Sequence, residues 1–148
     1  MNVRLHNKYE VICGGKTIVS YNTMLKTVFN KIKNLEPYNS YFAFGTGTAS
    51  VSFSDTQLSS YVASFANVTE QIQPDVKKGD MFVVKSKTFL ANEANGLTFS
   101  EIGITDTSES NPTIFNHVVL TDGDNNPITV TKPDSEEKGV TATLYLER

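Results

Sequence analysis

Leu97-Thr98-Phe99-Ser100-Glu101-Ile102-Gly103-Ile104, read with Tyr41-Phe42-Ala43-Phe44-Gly45-Thr46-Gly47-Thr48 upstream, decides the architecture expected of this chain. Each is a short run of aromatic and branched apolar residues broken by glycine, the composition of a short sheet strand that ends at a turn. Neither holds a nucleophile, a metal-ligand cluster or a phosphate loop. Glu101 stands between strand residues and shortly before Gly103. Its carboxylate is expected to bond a turn backbone and not to work as an acid or base.

Toward the N-terminus, Val3, Leu5, Tyr9, Val11 and Cys13 occupy odd positions while Arg4, Lys8 and Glu10 occupy even ones. Period two over this length predicts a strand with one buried face. Gly14-Gly15 supplies a tight turn, and Lys16 to Tyr21 returns as the partner strand of a hairpin. Met24, Leu25, Val28, Phe29, Ile32 and Leu35 then repeat at helical spacing, with Asn22 or Thr23 as the cap and Glu36-Pro37 as the stop. From Ser40 onward, strands are expected at 40–44, 81–90, 97–104, 113–120, 128–132 and 140–147. The stretch 58–65 stays open, because Leu58, Tyr61, Val62 and Phe65 have helical spacing in a serine-rich setting. Turn chemistry separates these elements at Lys78-Gly79-Asp80, Asn95-Gly96, Asn111-Pro112, Asp122 to Pro127 and Lys132-Pro133-Asp134. The expected fold is mainly β: an antiparallel β-sandwich-like domain with one amphipathic α-helix near the N-terminus. Residues 1–148 form a single domain, with hairpin and helix in 1–36 and the sandwich strands in 37–148.

Composition narrows the function. A net charge of -3 excludes a general nucleic-acid binder, which needs concentrated Lys and Arg. The basic groups Lys26, Lys31 and Lys33, and Lys77-Lys78 with Lys85 and Lys87, are expected to be solvated faces. No apolar run approaches the roughly 20 residues of a membrane span. The single cysteine, Cys13, excludes an internal disulfide framework and reads as a small buried hydrophobe. Met1 to Lys8 lacks the apolar core of a secretory signal, so folding in a cytoplasm is expected, and Asn67-Val68-Thr69 is a chance glycosylation pattern.

Motifs with chemistry fail on their own spacing. Gly14-Gly15-Lys16-Thr17 would need a glycine where Glu10 stands and a helix where Ile18-Val19 are strand-like. Gly45-Thr46-Gly47 lacks the third dinucleotide glycine, which is Ser50. Asp122, Asp124 and Asn126 open like a calcium loop, but Pro127 replaces its glycine and Pro133 its final carboxylate, which points to a hairpin turn. His6 and His117 lie far apart without a ligand pattern. No catalytic, cofactor-binding or metal-binding residue is therefore expected, and no enzyme. Sugar stacking favours exposed aromatics; there is no Trp, and Tyr38, Tyr41 and Tyr61 are the candidates, each more at home in a core.

Several pieces also fall in a familiar order: Asn7-Lys8-Tyr9-Glu10-Val11, then Tyr21-Asn22-Thr23-Met24-Leu25, Tyr41 to Thr48 and Phe53-Ser54-Asp55-Thr56-Gln57-Leu58. Ala91-Asn92-Glu93-Ala94-Asn95-Gly96, Phe99 to Ile104, Phe115 to Leu120, Pro127 to Lys132 and Thr141 to Leu146 complete it. Over nearly the whole chain this order resembles a family of bacteriophage tail-fibre, tail-tip and related virion proteins. The resemblance implies a non-enzymatic structural protein of the particle, with no catalytic residues to transfer. Its implied partners are other tail or adaptor proteins and copies of itself, on a virion tail or appendage after assembly in the host cytoplasm. Fibres usually carry long shafts or large tips; a chain ending at Arg148 suggests a short adaptor, collar or tip piece. A host-surface glycan-binding module and a capsid decoration or head-fibre protein are the alternatives.

Overall fold

A computed structural model describes residues 4–13, 16–25, 41–75, 80–134 and 138–147. The first hairpin pairs β1 (Arg4–Cys13) with β2 (Lys16–Met24) in a register that runs to Cys13↔Lys16, and the expected Gly14-Gly15 turn lies outside the described residues. The alternation works as expected, with Tyr9 and Val11 buried and Ile12 exposed. Asn22, Thr23 and Met24, expected to cap and open a helix, instead prolong β2. There Thr23 pairs with His117 and Met24 with Asn116, and the Leu25 amide donates to the Phe115 carbonyl at 3.1 Å. Ladder bonds capture these residues ahead of any local helical preference. The rest of the expected helix lies outside the described residues, among which there is no helix.

The later strands are β3 (Tyr41–Gly45), β4 (Tyr61–Ala66), β5 (Val68–Asp75), β6 (Asp80–Phe89), β7 (Thr98–Phe99), β8 (Glu101–Thr105), β9 (Asn116–Val119), β10 (Val130–Thr131) and β11 (Lys138–Glu147). Nine pair in the order β4-β3-β8-β9-β2-β1-β11-β6-β5, with antiparallel neighbours throughout, while β7 and β10 form a small ribbon. The two halves of this order pack face to face, and two stretches of chain cross between them. One is β2, which pairs with β1 along most of its length and with β9 at its end. The other is residues 61–75, which leave β3 at Ala66, pass through Asn67 and join β6 at Val68.

Between the halves lies an aromatic core. Phe42, Phe44, Ile102, Ile104 and Val118 face Tyr9, Val11, Phe89 and Val140. Phe44 is its hub, with ring centroids 4.9 Å from Phe99, 5.7 Å from Phe89 and 5.9 Å from Phe65. Aromatic rings supply large buried areas, so a chain that is only 39% hydrophobic can still fill a core. The sheet half holding β3 and β8 is buried on its other face too. Every residue of β8 is buried, and a second cluster of Leu25, Ala43, Leu58 and Ile114 covers that side. Loops 46–60 and 106–115, joined by the Ile114 amide donating to the Thr56 carbonyl at 2.9 Å, therefore act as a third layer, and small residues let it lie close. A Cβ on Gly103 would meet Ile114 at 2.8 Å.

Candidate functional site: a carboxylate–imidazole–carboxylate cluster

Stretches 41–48 and 97–104 are sheet neighbours: β3 pairs with β8, and Gly45 stands directly opposite Glu101. On the other side, β8 pairs with β9 so that Gly103 opposes His117 and Glu101 opposes Val119. Glu101 and His117 are thus diagonal neighbours on one face, within reach of long side chains. That face lies under loop 46–60, and Glu101 (0% exposed) and His117 (1%) are sealed beneath it.

The bonding of this cluster is complete. Glu101 Oε1 accepts from the amides of Gly47 (2.9 Å) and Ser60 (2.7 Å), and Oε2 from the Ser59 amide (3.0 Å). Oε2 also lies 2.7 Å from His117 Nε2, and His117 Nδ1 lies 3.0 Å from Asp55 Oδ2. The same Asp55 oxygen accepts the Ser52 amide at 2.9 Å, which folds the loop tip. A carboxylate against each ring nitrogen is satisfied when both nitrogens carry protons, so the ring is an imidazolium. Burial pushes the His117 ring toward neutrality, but the bonds and charges of Glu101 and Asp55 outweigh it and hold its pKa above the usual value. Burial likewise pushes the Glu101 carboxyl up, and the bonds from His117, Ser60, Ser59 and Gly47 outweigh that and hold it below the usual range.

Chemically, the arrangement is a fastening. A His–carboxylate pair that activates a nucleophile needs the second nitrogen free for a hydroxyl or thiol. Here the second nitrogen meets another carboxylate. Among the described residues no group of three His, Cys, Asp or Glu side chains is placed to hold a metal ion. The glycines have a matching explanation. A Cβ on Gly45 or on Gly47 would stand 2.5 Å from Glu101 Oε1, so both positions must lack a side chain for the carboxylate to lie there.

Other sequence candidates scatter. His6 pairs with Tyr145 in the β1–β11 ladder, on a different part of the sheet from His117. Asp122 closes its own hairpin: its carboxylate accepts the Asp124 and Asn126 amides, both at 2.9 Å, and the Asn126 side-chain amide at 3.2 Å. Lys16-Thr17 begins a strand. The amide nitrogen of Asn67 is buried. Tyr41 and Tyr61 are half-buried, with Tyr61 packed on the second cluster, and Tyr38 lies outside the described residues. Among the described residues the most exposed aromatic is Tyr21, at 72%, followed by Phe53 at 54%. The hairpin register sets Tyr21 opposite polar Lys8, on the face away from Tyr9 and Val11. Comparison with models of protein families, with curated proteins and with solved structures returns no match.

Proposed function

We propose that this chain is a structural component of a phage particle, a tail-fibre, tail-tip or adaptor protein that assembles with other virion proteins and with copies of itself. One observation carries the reading. The stretches on which the resemblance leans, 41–48 and 99–104, form one folded unit in which Glu101 is spent on loop amides and an imidazolium. With that cluster turned inward, surfaces are left to act. Ile12, Val19, Phe53, Val62, Val68 and Leu90 are 41–63% exposed and offer apolar contact area. A stable contact would bury about 1,200–2,000 Å² in total.

Antibodies to the chain, gold-labelled and viewed on purified particles by electron microscopy, test the proposal. Label on the tail or its appendages is the expected result. Label on the head would turn the fibre or adaptor into a decoration protein. Absence of label, with epitopes shown to be accessible in disrupted particles, would overturn a virion role.

A further inference from the structure

We propose that the buried Lys132 amine condenses with the side-chain amide of Asn95 to form an isopeptide bond, a covalent tie between the end of β10 and loop 90–97. The two groups already touch. Lys132 is 0% exposed, and its Nζ donates to Asn95 Oδ1 at 2.5 Å and to the Ala91 carbonyl at 2.9 Å. The amide carbon that the nitrogen attacks is one bond beyond that oxygen, so the pair is held close to the separation from which reaction starts.

Three further features favour reaction over a resting hydrogen bond. First, the backbone clamps the partners together. The Lys132 amide donates to the Leu97 carbonyl at 2.8 Å, and the Gly96 amide donates to the Lys132 carbonyl at 3.0 Å. Little ordering is left to be done before the side chains react. Second, the same Gly96 bond restrains the competing reaction. In an Asn-Gly pair the rival nucleophile is the glycine amide, which closes a succinimide on the same carbon; here that amide is tied to Lys132. Third, among the described residues no carboxylate lies within ion-pair distance of Lys132 Nζ, because Lys87 takes nearby Glu93 at 2.6 Å. A buried amine without a counter-ion gains by becoming part of a neutral amide.

The step balances without a co-reactant. Lys132 gives one ammonium proton to a base, its Nζ bonds to Asn95 Cγ, and the Cγ–Nδ2 bond breaks. A second Nζ proton passes to Nδ2, which leaves as ammonia. Asn95 is exposed, so the ammonia has a way out. Glu93, two residues earlier on the loop, takes the first proton by way of water. The bond from Lys87, then the Leu90 amide and the charges of Lys87 and Lys132, outweigh burial and hold its carboxyl below the usual range, so it stands ready as an anion. The product closes the chain between residues 95 and 132. That removes loop-closure entropy from the unfolded state as a disulfide would, in a chain whose single cysteine cannot make one internally.

Intact-mass spectrometry of the full chain, followed over days in the folded state, tests the bond. The expected result is a mass lower by one ammonia and, after digestion, a Lys132 peptide joined to the Asn95 peptide. Asn95→Ala and Lys132→Arg should each abolish both signals. Asn95 lies at the surface, so its variant serves even where Lys132→Arg fails to fold. Glu93→Gln should slow the change in mass about a hundredfold, the loss expected of a missing proton acceptor; an undiminished rate would overturn its part. An unchanged wild-type mass would overturn the bond. So would loss of ammonia with the two peptides unjoined, which marks a succinimide at Asn95-Gly96, or a loss that persists in Lys132→Arg. The bond does not rest on the virion reading: particle labelling and this measurement can fail separately.

Discussion

Glu101 and Lys132 are both fully buried, at 0% exposure, and both hold a loop against the sandwich, but they do so with opposite charge and different company. Glu101 gathers three amide hydrogens of loop 46–60 and rests against an imidazolium. Lys132 does the converse for the 90–97 loop: its Nζ donates to the Ala91 carbonyl at 2.9 Å and to Asn95 Oδ1 at 2.5 Å. Its backbone joins the same loop through the Leu97 carbonyl and the Gly96 amide. Among the described residues no carboxylate lies within ion-pair distance of Lys132; nearby Glu93 pairs with Lys87 instead, at 2.6 Å. One loop is held by an ion pair inside a net of amides, the other by carbonyl dipoles. The lesson is that a buried charge here follows the polarity of the loop it must fasten, and a counter-ion is added only on the acidic side.

Removing the acid should therefore do the most damage. Glu101→Ala leaves the Gly47, Ser59 and Ser60 amides and a buried imidazolium without their acceptor. The expected cost is about 3–5 kcal/mol, the range for breaking one side of a buried pair. In a chain of this size that lowers the melting temperature by roughly 10 °C, readable by calorimetry. A loss under about 1 kcal/mol would mean that loop 46–60 is held by packing alone. Gly45→Ala follows closely, because its Cβ would stand 2.5 Å from Glu101 Oε1 and 2.6 Å from the Ser60 carbonyl. Backbone cannot move aside cheaply, so about 2–3 kcal/mol is expected. The double variant with Glu101→Ala should cost less than the sum, since the same carboxylate is lost in one and crowded in the other. Lys132→Met is the milder counterpart. It orphans the Ala91 carbonyl and the Asn95 side-chain oxygen but strands no counter-ion, and about 1–3 kcal/mol is expected from denaturant midpoints. A loss larger than that of Glu101→Ala would reverse the comparison.

The sequence carried the local half of this structure. Alternation in β1 and the glycine turn gave the hairpin and its register, and the place of Glu101 before Gly103 gave its backbone-bonding role. What it could not carry depends on distant pairings. His117 reaches Glu101 only because β8 and β9 are in register, and Asp55 joins them only because loop 46–60 folds over that face. The helical spacing of Leu58, Tyr61, Val62 and Phe65 is not realised: Leu58 lies in loop 46–60 and the other three in strand β4, whose residues are mostly half-buried and show no clean period. Strand β5 gave no signal, since Gln71, Gln73 and Pro74 make it polar and a register shift at Thr69/Gln71 interrupts its pairing. It is an edge strand, where proline and irregular pairing are tolerated and serve to block further strand addition.

The smallest effect is the one that only changes protonation and leaves every side chain in place. His117 has its folded pKa raised, so its contribution is complete below the unfolded value of about 6.5 and is lost as pH rises through the folded value. Glu101 has its folded pKa lowered, so its contribution is complete above 4.5 and is lost as pH falls through the folded value. Stability linked to the cluster should plateau between these limits and decline on both sides. Burial raises the Tyr9 hydroxyl well above its ordinary 10.0, which adds its own alkaline loss, so the alkaline limb should be read below about pH 9. Denaturant midpoints measured across this range should show the wild-type limb flattened in His117→Gln, whose amide does not titrate. A wild-type protein that gains stability through that limb, or a variant that keeps it, would show the ring to be neutral and the ion pair absent. Loop 46–60 would then be fastened by dipoles alone, as Lys132 fastens its own.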